Sequence, residues 1–392
     1  MVVIIRPINH MTVKNDTWYM RMAISLASRG IGSVEPNPAV GAVLVKANQI
    51  IGRGWHKKFG APHAEINALA DCKKLAVNPQ GATMFVTLEP CCCQGKTPPC
   101  TDAIIAAKLA KVVVATIDPS EQANGRGIEQ LRNAGIDVQT GICETQAKLL
   151  NAPFIKFANT GKSWVIVKWA QSIDGKMAWA EKTNERNWIS GEQSRKDAHK
   201  LRRRVGAILV GINTVLADDP LLTTRPSRGK KPTRVVLDSK LRIPLGCNLL
   251  ATTKKAPVLI LTSTEAVHTN PQGVEKITQK GAEVLACPDT QFQSNLCFLL
   301  DELSKRDIPQ LLVEGGPTVI ASFLKERLVD EVCIYIAPKI LGAQGVVGIN
   351  QQMAELAESF NLSYFDTKRL GNDVRLTGLS RKALDEILIT EG

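Results

Sequence analysis

The chain has 392 residues, 44% hydrophobic and 22% charged, with a formal net charge of +12. That length predicts two domains of about 100–200 residues each, and the composition excludes a largely disordered chain. The positive residues are scattered, Arg202-Arg203-Arg204 being the one tight run, so the excess points to phosphate-bearing small molecules rather than to nucleic acid. No stretch approaches the ~20 apolar residues of a membrane span. The opening MVVII is broken by Arg6, Pro7 and Asn9, too soon for a signal peptide, and a cytoplasmic chain is expected. Ten cysteines in this length do not form a disulfide scaffold. Four of them, Cys91, Cys92, Cys93 and Cys100, fall within ten residues, a pattern that in a reducing compartment suggests a metal.

In chain order, Asp16 precedes an amphipathic run that ends at Gly30, which predicts a capped helix. Strands are expected at Val40–Val45 and Gln49–Trp55 around a polar turn, a helix from about His63 to Lys74, and a strand at Thr83–Leu88. A helix from about Pro99 to Leu109, the β-branched strand Lys111–Thr116 and a helix over Gly127–Ala134 follow. The pattern weakens across Asn151–Ser163, which places the domain boundary near residue 160, giving domains 1–160 and 161–392. The second begins with a strand at Trp164–Trp169 and a helix at Glu192–Arg204. Strands at Ala207–Gly211, Arg234–Asp238, Val258–Thr262 and Gln310–Glu314, a helix at about Thr318–Leu328 and a strand at Glu331–Ile336 complete the reading. Such alternation is that of an α/β layered fold.

The strongest signal is His63-Ala64-Glu65 followed by Glu89-Pro90-Cys91 and Cys100. A catalytic zinc takes three protein ligands and keeps a position for water; one imidazole and two thiolates supply that set. H-x-E with a later P-C-x-x-C is the signature of zinc deaminases, although here eight residues separate the two cysteines. Cys100 follows Pro98-Pro99 at an expected helix start, where free N–H groups and the helix dipole favour a thiolate. Glu65 then becomes the proton shuttle for a water whose pKa the metal lowers to about 7. Residues two apart on a regular helix do not share a face, so His63 must lie at an irregular helix start, as Pro62 suggests. A closed site of one His and three Cys would leave Glu65 without a use. In the second half, Glu314-Gly315-Gly316-Pro317-Thr318 joins a strand to a helix, and its glycines and helix N-terminus suit either an anion such as a pyrophosphate or a plain tight turn.

At these residues the sequence resembles the bifunctional deaminase–reductase family of riboflavin biosynthesis. The resemblance is carried by Asn37-Pro38-Ala39-Val40-Gly41, Pro62-His63-Ala64-Glu65, Glu89-Pro90-Cys91, Gly95-Lys96-Thr97-Pro98-Pro99-Cys100, Ser172-Ile173-Asp174-Gly175-Lys176, Val236-Leu237-Asp238-Ser239 and Glu314-Gly315-Gly316-Pro317-Thr318. It implies an N-terminal cytidine-deaminase-like α/β/α layered domain and a C-terminal dihydrofolate-reductase-like α/β domain. Two consecutive reactions are implied: zinc-dependent hydrolytic deamination of 2,5-diamino-6-(5-phosphoribosylamino)pyrimidin-4-one, then NADPH-dependent reduction of the ribosyl group to ribityl. By the same resemblance His63, Cys91 and Cys100 hold zinc, Glu65 is the acid/base, and Asn37, His56 and Lys96 contact substrate. NADPH contacts are implied at Ala170, Trp188, Thr214, Asp218, Ser239 and the turn Gly316, Pro317, Thr318, Val319, Ile320, Ala321 and Ser322. Reductase substrate contacts are implied at Arg202, Leu222, Arg225 and Glu314, the arginines facing the phosphate. Asp218, Lys176 and Glu314 are candidates for the reductase proton donor, and Asp174 and Lys176 can equally be turn residues. The sequence departs from the family at Cys92-Cys93-Gln94: Cys93 stands where the family has a substrate-contacting histidine, and a thiol does not offer a ring's donor and acceptor. The expected partner is a phosphorylated pyrimidine, with no nucleic acid or membrane, in a homo-oligomeric enzyme. The alternative, a nucleic-acid base deaminase with an accessory domain, requires a basic, aromatic groove near His63, which the sequence does not show.

Overall fold

In the computed structural model the described residues are 15–95, 98–181, 188–225, 231–288, 292–346, 348 and 359–388. They divide into two compact units, one of residues up to Val34 with Ala39–Asn151, the other of Glu35–Pro38 with Ala152 onward. Among them no helix is long and apolar enough to cross a membrane.

The first unit runs α1 (Asp16–Ala27), β1 (Gly41–Lys46), β2 (Gln49–Trp55), α2 (Ala64–Lys74), β3 (Thr83–Val86), α3 (Cys100–Ala106), β4 (Lys111–Val114), α4 (Arg126–Asn133), β5 (Asp137–Thr140) and α5 (Glu144–Leu150). The N-cap of α1 is Asn15, whose side chain accepts the Trp18 N–H, one residue before the expected Asp16. The sheet order is β2-β1-β3-β4-β5, antiparallel at β2-β1-β3 and parallel at β3-β4-β5. Its core joins Tyr19, Met20 and Leu26 of α1 to Val43, Phe85 and Val113 of three strands. Helix α2 lies so close on β2 that a Cβ at Gly54 would collide with the backbone of Ala64 and Ala68; this close seat fixes the height of the helix start above the sheet.

The second unit opens with α6 (Ala152–Thr160), β6 (Trp164–Ser172), β7 (Ala178–Trp179), α7 (Glu192–Arg204), β8 (Ala207–Gly211), α8 (Ile212–Asp218), β9 (Thr233–Leu237), α9 (Asn248–Ala251) and β10 (Val258–Ser263). It continues with α10 (Thr264–Thr269), α11 (Pro271–Gln279), β11 (Glu283–Cys287), α12 (Phe292–Lys305), β12 (Gln310–Val313), α13 (Pro317–Lys325), β13 (Glu331–Ala337), β14 (Gly345–Val346), β15 (Leu362–Leu370), β16 (Asp373–Ser380) and α14 (Arg381–Leu388). Nine strands form one sheet in the order β11-β10-β9-β8-β12-β6-β13-β16-β15, parallel from β11 to β13 and antiparallel at β13-β16-β15. Two core clusters cover its faces, one around Trp164, Ile208 and Ile260 and the other around Val167, Leu209 and Leu311. Strands buried on both faces read as apolar runs without alternation.

The segment where the repeating pattern weakens is itself a helix, α6. Its buried Lys156 places Nζ 2.7 Å from Asp330 Oδ1, and Asp330 Oδ2 also accepts the Val165 N–H at 2.7 Å. A charged residue on the inward face hides the helical periodicity, and its partner lies 174 residues away.

Candidate active sites

The first site is built where three helix or strand ends meet. His63 is the N-cap of α2, with extended backbone (φ −71°, ψ 172°), so it projects off the helix axis while Glu65 lies in the first turn. This irregular start is what allows residues two apart to face one point. Cys91 follows β3, and Cys100 is the first residue of α3. The three ligand atoms lie within 4.8 Å of one another, with His63 Nδ1 3.5 Å from Cys91 Sγ and 3.4 Å from Cys100 Sγ. Zinc–sulfur and zinc–nitrogen bonds at a tetrahedral angle require a nitrogen–sulfur separation of about 3.6 Å, which both imidazole–thiol distances match. Neither of the other two local thiols joins it. Cys92 and Cys93 point to the Gln122 carbonyl at 3.8 and 3.3 Å, and among the described residues the group is His63, Cys91 and Cys100 alone.

Electrostatics follow from this crowding. The Cys100 thiol's hydrogen bond, with the nearby His63 and the backbone N–H of Cys100, draws Cys91 down to about 4; that N–H reaches Cys91 Sγ at 3.4 Å. Cys100, the donor of the pair, is pushed up, and the bond with Cys91 raises His63. Burial lifts Glu65 to about 7. It is 3% exposed, and its Oε2 has no hydrogen-bond partner among the described residues, the state of a carboxyl group placed to exchange a proton.

Glu89 of the Glu-Pro-Cys motif has a different job. It is buried, and its carboxylate accepts the backbone N–H groups of Asp118, Gly125 and Gly127 at 3.2, 2.9 and 2.8 Å. A Cβ at Gly127 would collide with the Pro90 carbonyl. The carboxylate at the start of α4 thus clamps the turn that presents Cys91. Of the expected substrate contacts, the buried His56 ring stands 5.2 Å from that of His63, Asn37 is half-buried in the loop before β1, and Lys96 lies outside the described residues.

The second site sits at the carboxyl ends of β12, β6, β8 and β9, where open α/β sheets bind ligands. Val313 pairs with Val167 and with Leu209, which brings Glu314, one residue on, level with Lys168. Arg202 forms a two-point pair with Glu314, Nε–Oε1 2.7 Å and Nη2–Oε2 2.8 Å, and Lys168 Nζ is 3.8 Å from Oε2. Burial would raise the Glu314 carboxyl, but Arg202 and Lys168 outweigh it and hold it down at about 2. The fork of Arg202, expected to face a phosphate, is therefore engaged by Glu314. Arg225 is exposed, whereas Leu222 is buried in the core.

A cavity of ≈ 350 Å³ opens at the ends of β8, β9, β10 and the start of α13, lined among others by Gly211, Thr214, Ser239 and Gly316–Val319. Gly315 and Gly211 admit Val319 within 2.9 Å of where a Cβ would stand, and a Cβ at the Gly316 cap would stand in ordinary contact with Thr214 Oγ1, 3.7 Å away. A dinucleotide's pyrophosphate fits such a bare helix start. Ile320 and Ala321 belong to the core, and Ser322 hydrogen-bonds the Thr318 carbonyl. Ala170 is half-buried in β6, Asp218 is exposed at the end of α8, and Trp188 is exposed beneath the Arg195 guanidinium. Asp174 takes up Ser172 Oγ and the N–H groups of Leu341 and Gly342, and the Ser172 hydrogen bond holds it down at about 2. It is a turn residue, as Gly175 with φ +76° also indicates.

Sequence reasoning passed over Lys168 and His199. The signal for Lys168 was a cation inside the apolar strand WVIVKWA. His199 lies three positions before Arg202 on α7, its Nδ1 buried with no partner among the described residues; burial and the neighbouring charges of Arg202 and Arg225 lower its pKa.

Residues 13–116 match the cytidine and deoxycytidylate deaminase zinc-binding region, and residues 163–376 match the RibD C-terminal domain. The class defined by this fold and these sites is a zinc-dependent deaminase joined to an NADPH-dependent reductase. The riboflavin biosynthesis protein RibD of Aquifex aeolicus is 43% identical over 361 residues, covering 92% of this chain and 97% of that protein. RibD of Escherichia coli is 38% identical over 366 residues, 92% of this chain and 98% of that one. Among solved structures, Acinetobacter baumannii RibD (form 1) is similar with a TM-score of 0.77 and 37% identity, covering 93% of this chain and 98% of that one. The chain belongs to the RibD family of bifunctional riboflavin biosynthesis enzymes.

Proposed function

We propose that the first unit removes the 2-amino group of 2,5-diamino-6-(5-phosphoribosylamino)pyrimidin-4-one, and that the second reduces the ribosyl group of the product. One observation carries the first half: His63, Cys91 and Cys100 converge within 4.8 Å beside a carboxyl that burial holds near 7. Zinc held by these three residues would supply Lewis acidity to the attacking water. Glu65 takes a proton from the attacking water and returns it to the departing amine, so ring amine and water become carbonyl and ammonia.

In the second unit NADPH supplies the hydride when bound. Glu314, kept ionised by Arg202 and Lys168, accepts hydrogen bonds from the sugar. A carboxylate held deprotonated at neutral pH has no proton to give, so the Lys168 ammonium, 3.8 Å from it, becomes the donor to the opening ring oxygen. The exposed Arg225 receives the phosphate. A phosphorylated pyrimidine rather than nucleic acid is the substrate, acted on by a homo-oligomer in a reducing cytoplasm; ten free cysteines accord with that compartment.

Mixing the purified chain with zinc, the phosphoribosyl diaminopyrimidinone and NADPH should release ammonia and then bleach the nicotinamide band, the second signal depending on the first. Bleaching without prior ammonia release would refute the order, and ammonia from tRNA but not from the pyrimidine would favour the nucleic-acid reading. Because Cys93 is exposed and turned to Gln122, Cys93→His should leave deaminase turnover similar or higher. Loss of bound zinc or of turnover in that variant would show that Cys93 serves as a ligand.

A further inference from the structure

Resting on the reductase reading, we infer that Arg242 is the residue that selects the 2′-phosphorylated dinucleotide over its unphosphorylated counterpart. The reducing end of the cofactor must face the Glu314 cluster at the ends of β12 and β6. The cavity extends away from that cluster along the sheet order β12-β8-β9-β10, to Ser239 after β9 and Ser263 at the end of β10. Three strand spacings separate β12 from β10, about 14 Å, and the bare start of α13 lies by β12. The adenosine half therefore belongs at the β9–β10 end.

At that end Arg242 is the one lysine or arginine among the described residues lining the cavity. Its side chain is 47% exposed, so the guanidinium stands at the rim. Among the described residues its contacts are long: Nη2 is 3.4 Å from Asn213 Oδ1, and Nε is 3.9 Å from Asp238 Oδ1. These aim the fork without occupying it. Asp238 beneath is buried and fixed, its Oδ2 accepting the Ile243 N–H at 2.8 Å, and Ser263 is tied by Oγ to the Ser239 carbonyl at 2.9 Å. An aspartate after a strand suits a free ribose 2′-hydroxyl, and a nearby arginine turns the same place into a 2′-phosphate site. Here both are present with the arginine on top. Removing it exposes a phosphate to the Asp238 charge.

The test is calorimetric titration of the full chain with NADP⁺ and with NAD⁺. Arg242→Gln should weaken NADP⁺ binding roughly 10- to 100-fold, the range of a charge-assisted pair, while NAD⁺ binding stays the same or tightens. Arg242→Lys, which keeps the charge but not the fork, should retain part of the preference. For the unaltered chain, NADP⁺ affinity should fall with ionic strength more steeply than NAD⁺ affinity, a measurement that needs no variant. Equal loss of both ligands in Arg242→Gln, an unchanged preference, or equal salt slopes would overturn the assignment and leave the reductase reading standing. Failure of the chain to bind either dinucleotide would sink both.

Discussion

Replacing Glu65 with glutamine should slow ammonia release by roughly 10²- to 10⁴-fold, the usual contribution of a positioned acid/base, with zinc content unchanged. The substitution keeps shape and removes only the exchangeable proton. It also removes the cost of burying a charge, which is the reason the carboxyl is lifted to about 7, so the thermal midpoint should not fall. Metal analysis, ammonia assay and a melting curve on one preparation decide the matter. A rate within tenfold of the unaltered chain at full zinc occupancy would remove Glu65 from the chemistry.

Glu314→Ala carries the second large effect. Arg202 and Lys168 would be left without their counter-charge in a nearly buried site, and breaking such a pair from one side costs about 3–5 kcal/mol. NADPH oxidation should be lost while ammonia release in the first unit continues. The stability difference must also depend on pH in one direction. Burial opposes ionisation of Glu314, but Arg202 and Lys168 bring it from 4.5 to about 2. A carboxyl held lower in the folded than in the unfolded chain stabilises fully above the unfolded value, and that stabilisation is lost as pH falls towards the folded one. Denaturant titrations should therefore show a wide gap between the unaltered chain and Glu314→Gln at pH 7, narrowing below pH 4.5. A gap independent of pH would mean that the pair contributes shape and not charge.

The metal ligands were legible in the sequence because zinc imposes residue types and local positions, and His63, Cys91 and Cys100 each mark a helix start or the turn before one. Strands such as Ala207–Gly211 and the helix Glu192–Arg204 were legible because their patterns are local. What escaped depends on partners far along the chain. Helix α6 is disguised by Lys156, whose counter-ion is Asp330. Arg202 reads as a free phosphate-binding arginine until Glu314, 112 residues later, takes its fork. The order β8-β12-β6 inserts a late strand between two early ones, and no periodicity records that. Glu89 offered a motif letter but not its purpose, since its partners are backbone groups of Asp118, Gly125 and Gly127, which any sequence would carry.

The Glu89 clamp has a consequence for how the ion arrives. Small zinc modules are unfolded without metal because coordination itself must organise the chain. In this protein the turn bearing the first sulfur is moored by peptide N–H groups, and the imidazole is held by a helix seated on glycine. The disorder of three scattered donors is given up when the polypeptide folds, not when the ion is captured, so nearly all of the coordination energy remains available as affinity.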